Sequence, residues 1–132
     1  MSMISRDERK NERGIKKFIN SFKYPISGFR YAYRNEQNLM VDISVAVLVV
    51  VLGFLFKISV TEWAILSLTV GLVICLELVN TAIEATVDLV TEKYHPLAKV
   101  AKDTSAAAVL VLAVVSIIEG LIIFLPKLIS ML

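Results

Sequence analysis

The chain has 132 residues, 57% of them hydrophobic, and its fourteen Lys and Arg against twelve Asp and Glu leave a formal net charge of +2. That length holds one unit and no second domain, and a mean hydropathy of +0.73 is too apolar for a soluble domain of this size. The small net charge carries no nucleic-acid signal, and a single cysteine, Cys75, excludes an intrachain disulfide.

Residues 1–13 are polar and charged without apolar periodicity, and are expected to form a loosely ordered tail. From there the pattern changes: Ile15, Phe18, Ile19 and Phe22 recur at helical spacing while Lys16, Lys17 and Lys23 occupy other faces. This predicts a basic amphipathic surface helix over 15–35, lying in the headgroup layer. Pro25 and Gly28 are expected to interrupt it before an aromatic segment with Phe29, Tyr31 and Tyr33 that leads into RNEQN. Two readings stay open for this region: a membrane anchor only, or a wall of a site at the bilayer surface.

Three apolar stretches follow, 39–56, 63–90 and 104–125, each long enough or nearly so to cross a hydrocarbon core of about 30 Å. The expected fold class is therefore all-α and integral to the membrane. No cleavable signal is expected, because the first apolar run lies behind a long charged segment and lacks a small-residue cleavage site. Nine of the fourteen basic residues (Arg6, Arg9, Lys10, Arg13, Lys16, Lys17, Lys23, Arg30 and Arg34) precede the first span, and Lys93, Lys99 and Lys102 lie between the second and third. Only Lys57 and Lys127 fall on the other side, so the positive-inside rule predicts that the N-terminus and the 91–103 loop are cytoplasmic.

The second stretch reads ELVNTAIEATVD over 77–88. At 100° per residue Glu77, Asn80, Glu84 and Asp88 fall within roughly 80° of one another and make one polar stripe. Leu78, Val79, Ala82, Ala85 and Leu89 take the opposite side, free to face lipid or other helices. Ionisable groups in a spanning helix mark function by default, and such a stripe needs a partner: a proton, a cation or a basic side chain. Directly after it, TEKYHPLAKVAKDTS offers the only histidine, an aromatic, spaced lysines and an aspartate. Lys99 and Lys102 also suit plain topology determinants, and His95 before Pro96 suits a turn; one histidine makes no zinc site of the usual kind.

Oxygen ligands near a basic loop suggest a hard cation such as Mg²⁺, which commonly accompanies nucleotide phosphates. Neither G-x-x-x-x-G-K-[ST] nor a kinase Gly-rich loop is present, so any ATP site must be built from helices and carboxylates. The residues alone leave two classes open: a phosphotransferase acting on a lipid, or a small oligomeric proton or cation conductor.

ELVNTAIEATVD, then YH, then AKD at the head of the third span closely resembles the signature of the prokaryotic diacylglycerol kinase family, from about Lys16 onward. With YPISGFRYAYRNEQN before the first span it looks most like the Gram-positive branch, whose members are undecaprenol kinases. The resemblance implies a domain-swapped homotrimer with a surface helix and three transmembrane helices per subunit, in the bacterial cytoplasmic membrane. It also implies ATP, Mg²⁺ and a lipid alcohol as the substrate set, with undecaprenol preferred and diacylglycerol the closest alternative.

By the same resemblance Glu77 matches the general base that takes the lipid hydroxyl proton, and Glu36 and Glu84 match a metal-binding pair. Asn80 matches a polar residue orienting base or phosphate, and Lys102 the lysine facing the transferring phosphoryl group. Asp88, Asp103, Tyr94, His95 and Tyr24 fall where family members contact the nucleotide. Lys17 stands where the best-known relatives have an arginine, keeping the charge without the bidentate grip. Asp42, four residues into the first span, is expected to pair locally near the interface and not to join the site. Glu119 is expected to make an interfacial or inter-subunit polar contact, and the 105–108 run of small residues to serve helix packing.

Overall fold

A computed structural model describes residues 14–131, so the tail expected over 1–13 lies outside the described residues. The chain divides after Asn35 into two units, each described by itself.

The first unit holds two helices, the interruption expected within 15–35 falling before Pro25. Helix α1, Ile15–Ser21, starts after Gly14, whose φ of 77° suits a residue without a Cβ. It ends at Phe22, whose ring stands edge-on to that of Phe18 with centroids 5.2 Å apart. Helix α2, Lys23–Asn35, begins at once. The break thus falls at Phe22, not at Pro25 or Gly28. Pro25 lies in the first turn of α2, where a backbone N–H has no intrahelical acceptor to lose, and Gly28 is carried inside the helix.

The second unit is built from three long helices: α3, Gln37–Leu55; α4, Val60–Val90; and α5, Pro96–Ile129. All three are long and apolar enough to cross a membrane. At a rise of about 1.5 Å per residue, α3 measures about 28 Å, α4 about 46 Å and α5 about 51 Å. Only α3 matches a hydrocarbon core; α4 and α5 overshoot it and must carry polar turns beyond it. The third helix begins at Pro96, well before the apolar stretch at 104, because a proline at the first helical position is pre-set for the helix and His95 caps it, its Nδ1 accepting from the Leu97 N–H at 3.2 Å.

At the far end of this hairpin the turn between α3 and α4 is tightly specified. Ser59 and Glu62 form a reciprocal capping box, with the Ser59 N–H donating to Glu62 Oε2 at 2.6 Å and the Glu62 N–H to Ser59 Oγ at 3.2 Å. Glu62 also meets Lys127 of α5 at 3.0 Å. Ile58, Leu66 and Ile123 form a small buried core there, flanked by Val49, Phe56, Trp63 and Phe124. Gly53 permits the close seat of Trp63, since a Cβ at that position would stand 2.6 and 2.8 Å from indole carbons. Helices α4 and α5 pack along each other and α3 packs on α4, which leaves most apolar side chains of the three turned outward as a lipid-facing surface requires.

Candidate active site

The polar stripe of α4 is graded by depth. Glu77 is 2% exposed and Asn80 is buried, Glu84 is half-buried and Asp88 is exposed, whereas Val79 and Leu89 on the opposite side stand open. The Thr81 hydroxyl donates to the Glu77 carbonyl at 3.0 Å, so the turn behind the acid is itself satisfied.

Around the deep end, α3, α4 and α5 enclose a cleft of about 280 Å³ lined by Asn38, Asp42, Glu77 and Asn80 together with Val41, Ala106 and Leu110. Asp42, expected to pair locally near the interface, lines this cleft. Its carboxyl shares that cleft with the carboxyl of Glu77. The reason is register: Asn38 and Asp42 are four residues apart and share the face of α3 that meets α4. Glu36, the N-cap residue of α3, and Glu84 are both close enough to Glu77 to act on it electrostatically.

From this cleft a hydrogen-bonded path leads outward. The Ser105 hydroxyl of α5 lies 2.6 Å from Asn80 Oδ1, and the Asn80 amide donates to Glu84 Oε1 at 3.1 Å. One turn on, Lys102 Nζ donates to Asp88 Oδ1 at 2.6 Å, with Glu84 also within its field. Lys99 pairs with Asp103 along α5. The loop between α4 and α5 then opens a second, more polar cleft of about 390 Å³, whose walls include Asp88, Tyr94, His95, Lys102 and Asp103.

The residues named from sequence therefore fall into two joined groups: Glu77 and Asn80 in the deep cleft, and Asp88, Tyr94, His95, Lys102 and Asp103 in the outer one, with Glu84 between. Lys17 lies on α1 and Tyr24 on α2, in the first unit. Asn38 was not singled out from sequence, whereas Asp42 was read as pairing locally near the interface and Ser105 as part of a packing run. The i, i+4 spacing of Asn38 and Asp42, and the i, i+3 spacing of Lys102 and Ser105, were the only sequence signals available. Glu119 accepts a short hydrogen bond from Thr69 Oγ1, an intrachain contact between α5 and α4, and its Oε1 is the one buried side-chain oxygen without a partner among the described residues.

No three His, Cys, Asp or Glu among the described residues converge into a metal cage. Mg²⁺ seldom uses one: it keeps several waters and takes one or two carboxylates beside substrate phosphates. The Glu36 and Glu84 carboxylates are hard oxygen donors of the kind such an ion takes.

The profile of the family described as prokaryotic diacylglycerol kinase matches residues 23–124. The chain belongs to that family. It is 49% identical over 126 residues to the undecaprenol kinase of Bacillus subtilis (strain 168), covering 96% of this chain and 100% of that one. It is 41% identical over 112 residues to the diacylglycerol kinase of Synechocystis sp., covering 84% of this chain and 64% of that one. Against the diacylglycerol kinase of Pseudomonas aeruginosa the identity is 37% over 99 residues, or 75% and 80% of the two chains. As a prokaryotic diacylglycerol kinase family member the protein is a lipid kinase, and the reading of the acidic stripe as a conductor's relay is set aside.

Proposed function

We propose that the protein transfers the γ-phosphoryl group of ATP to the hydroxyl of undecaprenol, yielding undecaprenyl phosphate and ADP at the cytoplasmic face of a bacterial membrane. The similarity that spans all of the Bacillus subtilis undecaprenol kinase carries the choice of acceptor. A second reading, diacylglycerol as acceptor and phosphatidic acid as product, draws on the names of the Synechocystis and Pseudomonas relatives.

In this reading the Glu77 carboxylate accepts the proton of the lipid hydroxyl as its oxygen bonds to the γ-phosphorus and the bond to the ADP oxygen breaks. Its burial supports that role, because a base kept from bulk water is available to the lipid hydroxyl rather than to solvent. Asp42 and Asn80 hold the base and its surroundings. Glu36 and Glu84 would hold Mg²⁺, which neutralises phosphate charge when bound. Lys102 offers a compact positive charge to the transferring group, steered by Asp88. Asp103, Tyr94 and His95 line the polar cleft in which the nucleotide would sit.

The remaining parts of the proposal are a single membrane-embedded kinase domain, an amphipathic N-terminal surface region, an N-terminus on the cytoplasmic side and a domain-swapped homotrimer. The distribution of Lys and Arg supports the orientation, and the family resemblance supports the assembly. Purified protein in nanodiscs, given γ-³²P-labelled ATP and Mg²⁺, is expected to label undecaprenol faster than diacylglycerol. Equal or faster labelling of diacylglycerol would overturn the acceptor, and label in neither lipid would overturn the reading.

A further inference from the structure

Asn80 poses a problem of orientation. Its amide has two nearly isosteric ends, and the torsion that exchanges them is broad. Glu84, when ionised, only accepts hydrogen bonds, so the Asn80 Nδ2 end must face it; the flipped amide would set an oxygen against a carboxylate oxygen. The i, i+4 pairing on α4 does not by itself prevent the flip. What opposes it comes from another helix. Ser105 of α5, buried to 9% exposure, reaches across to Asn80 Oδ1 at 2.6 Å, and a hydroxyl donor at that end leaves the amide nitrogen for Glu84.

The Ser105 proton has a second acceptor, the Lys102 carbonyl, at 2.9 Å. One hydroxyl proton serves one acceptor fully. Given to Lys102, it turns a lone pair towards Asn80 and favours the flipped amide; given to Asn80, it favours the orientation that holds Glu84. Ser105 thus stands between the turn that carries Lys102 and the side chain that holds Glu84, a role beyond that of a small residue in a packing run.

We propose that Ser105 is a positioning residue for phosphoryl transfer, fixing the Asn80 amide so that Glu84 is held for the magnesium-bound nucleotide. This rests on the reading that Glu84 engages the nucleotide, and the test separates the two. Full-length protein in nanodiscs is titrated with Mg²⁺ and a non-hydrolysable ATP analogue, affinity being read from the shift of thermal denaturation, and KM and kcat are measured in parallel. Ser105→Ala is expected to weaken analogue affinity and raise KM for ATP by about three- to tenfold, the scale of one net hydrogen bond, with kcat changed by less than about twofold. Ser105→Thr, which keeps the hydroxyl, is expected to recover most of that loss. Ser116→Ala removes a hydroxyl that donates only to the Ala113 carbonyl of its own helix and is expected to bind as the parent does.

Parent-like affinity in Ser105→Ala, an equal loss in Ser116→Ala, or no recovery in Ser105→Thr would each overturn the role of Ser105. If Glu84→Gln binds the analogue as tightly as the parent, the reading of Glu84 falls and the inference falls with it. If Glu84→Gln weakens binding and Ser105→Ala does not, only the inference falls.

Discussion

Lys102 Nζ reaches Asp88 Oδ1 at 2.6 Å, so the last turn of α4 and an early turn of α5 are tied by opposite charges at the mouth of the outer cleft. Both side chains are substantially exposed, so the pair steers the ammonium more than it stabilises the fold. Lys102→Ala is expected to lower kcat by about 100-fold or more, as loss of a charge aimed at the transferring group does, with little change in the thermal midpoint. Asp88→Asn, which frees the ammonium without removing it, is expected to have a smaller effect. A Lys102→Ala protein with parent-like turnover would refute the assignment.

Glu77 and Glu84 lie seven positions apart on one stripe but differ in depth and partners, and their substitutions should separate. Glu77→Gln is expected to reduce kcat by about 100- to 10,000-fold, the range for removing a general base, while magnesium-bound nucleotide still shifts the melting curve. Glu84→Gln is expected to weaken that shift first. Equal loss of nucleotide affinity in the two proteins would contradict the division of roles.

Asp42 lines the same cleft as the base. Replacing it by Ala empties the space beside Glu77 and should lower kcat/KM for the lipid acceptor by about tenfold or more, a loss typical of misplacing a catalytic group. The nucleotide-induced thermal shift should stay. A loss confined to nucleotide binding would move Asp42 to another role.

Gly53 tests the other end of the bundle. A methyl group there meets the Trp63 ring at 2.6 Å, so Gly53→Ala is expected to destabilise the protein by about 1–3 kcal/mol through overpacking. Thermal denaturation in detergent measures it, and specific activity of the protein that stays folded should be unchanged. An unaltered midpoint would show that Trp63 moves aside freely.

Much of the site was legible because helical periodicity depends on spacing alone: Glu77, Asn80, Glu84 and Asp88 share a face in any α-helix. The burial gradient along that face was only partly legible, since it depends on where α3 and α5 come to rest. Asp42 and Ser105 escaped for the same reason. Asp42 close to the start of a span suits a local interfacial contact and Ser105 a packing run, and the place of each comes from the residue opposite, Glu77 in one case and Asn80 in the other. Hydropathy located the three apolar stretches but not the helix ends, as the start of α5 at Pro96 shows, because backbone hydrogen bonding continues through turns that no hydropathy window selects. Pro25 misled for the converse reason: a proline breaks a helix only where it displaces an N–H that has an acceptor.

The unequal lengths of the three helices are expected to make the enzyme responsive to its host bilayer. Helix α3 has no reserve of length, and Glu36 is its cap, whereas α4 and α5 extend well past the hydrocarbon on either count. A thicker membrane must be met by α3 through local thinning of the lipid or a change of tilt. A change of tilt would shift the height of Glu36 relative to Glu77, so the catalytic rate is expected to depend on the acyl-chain length of the surrounding phospholipids.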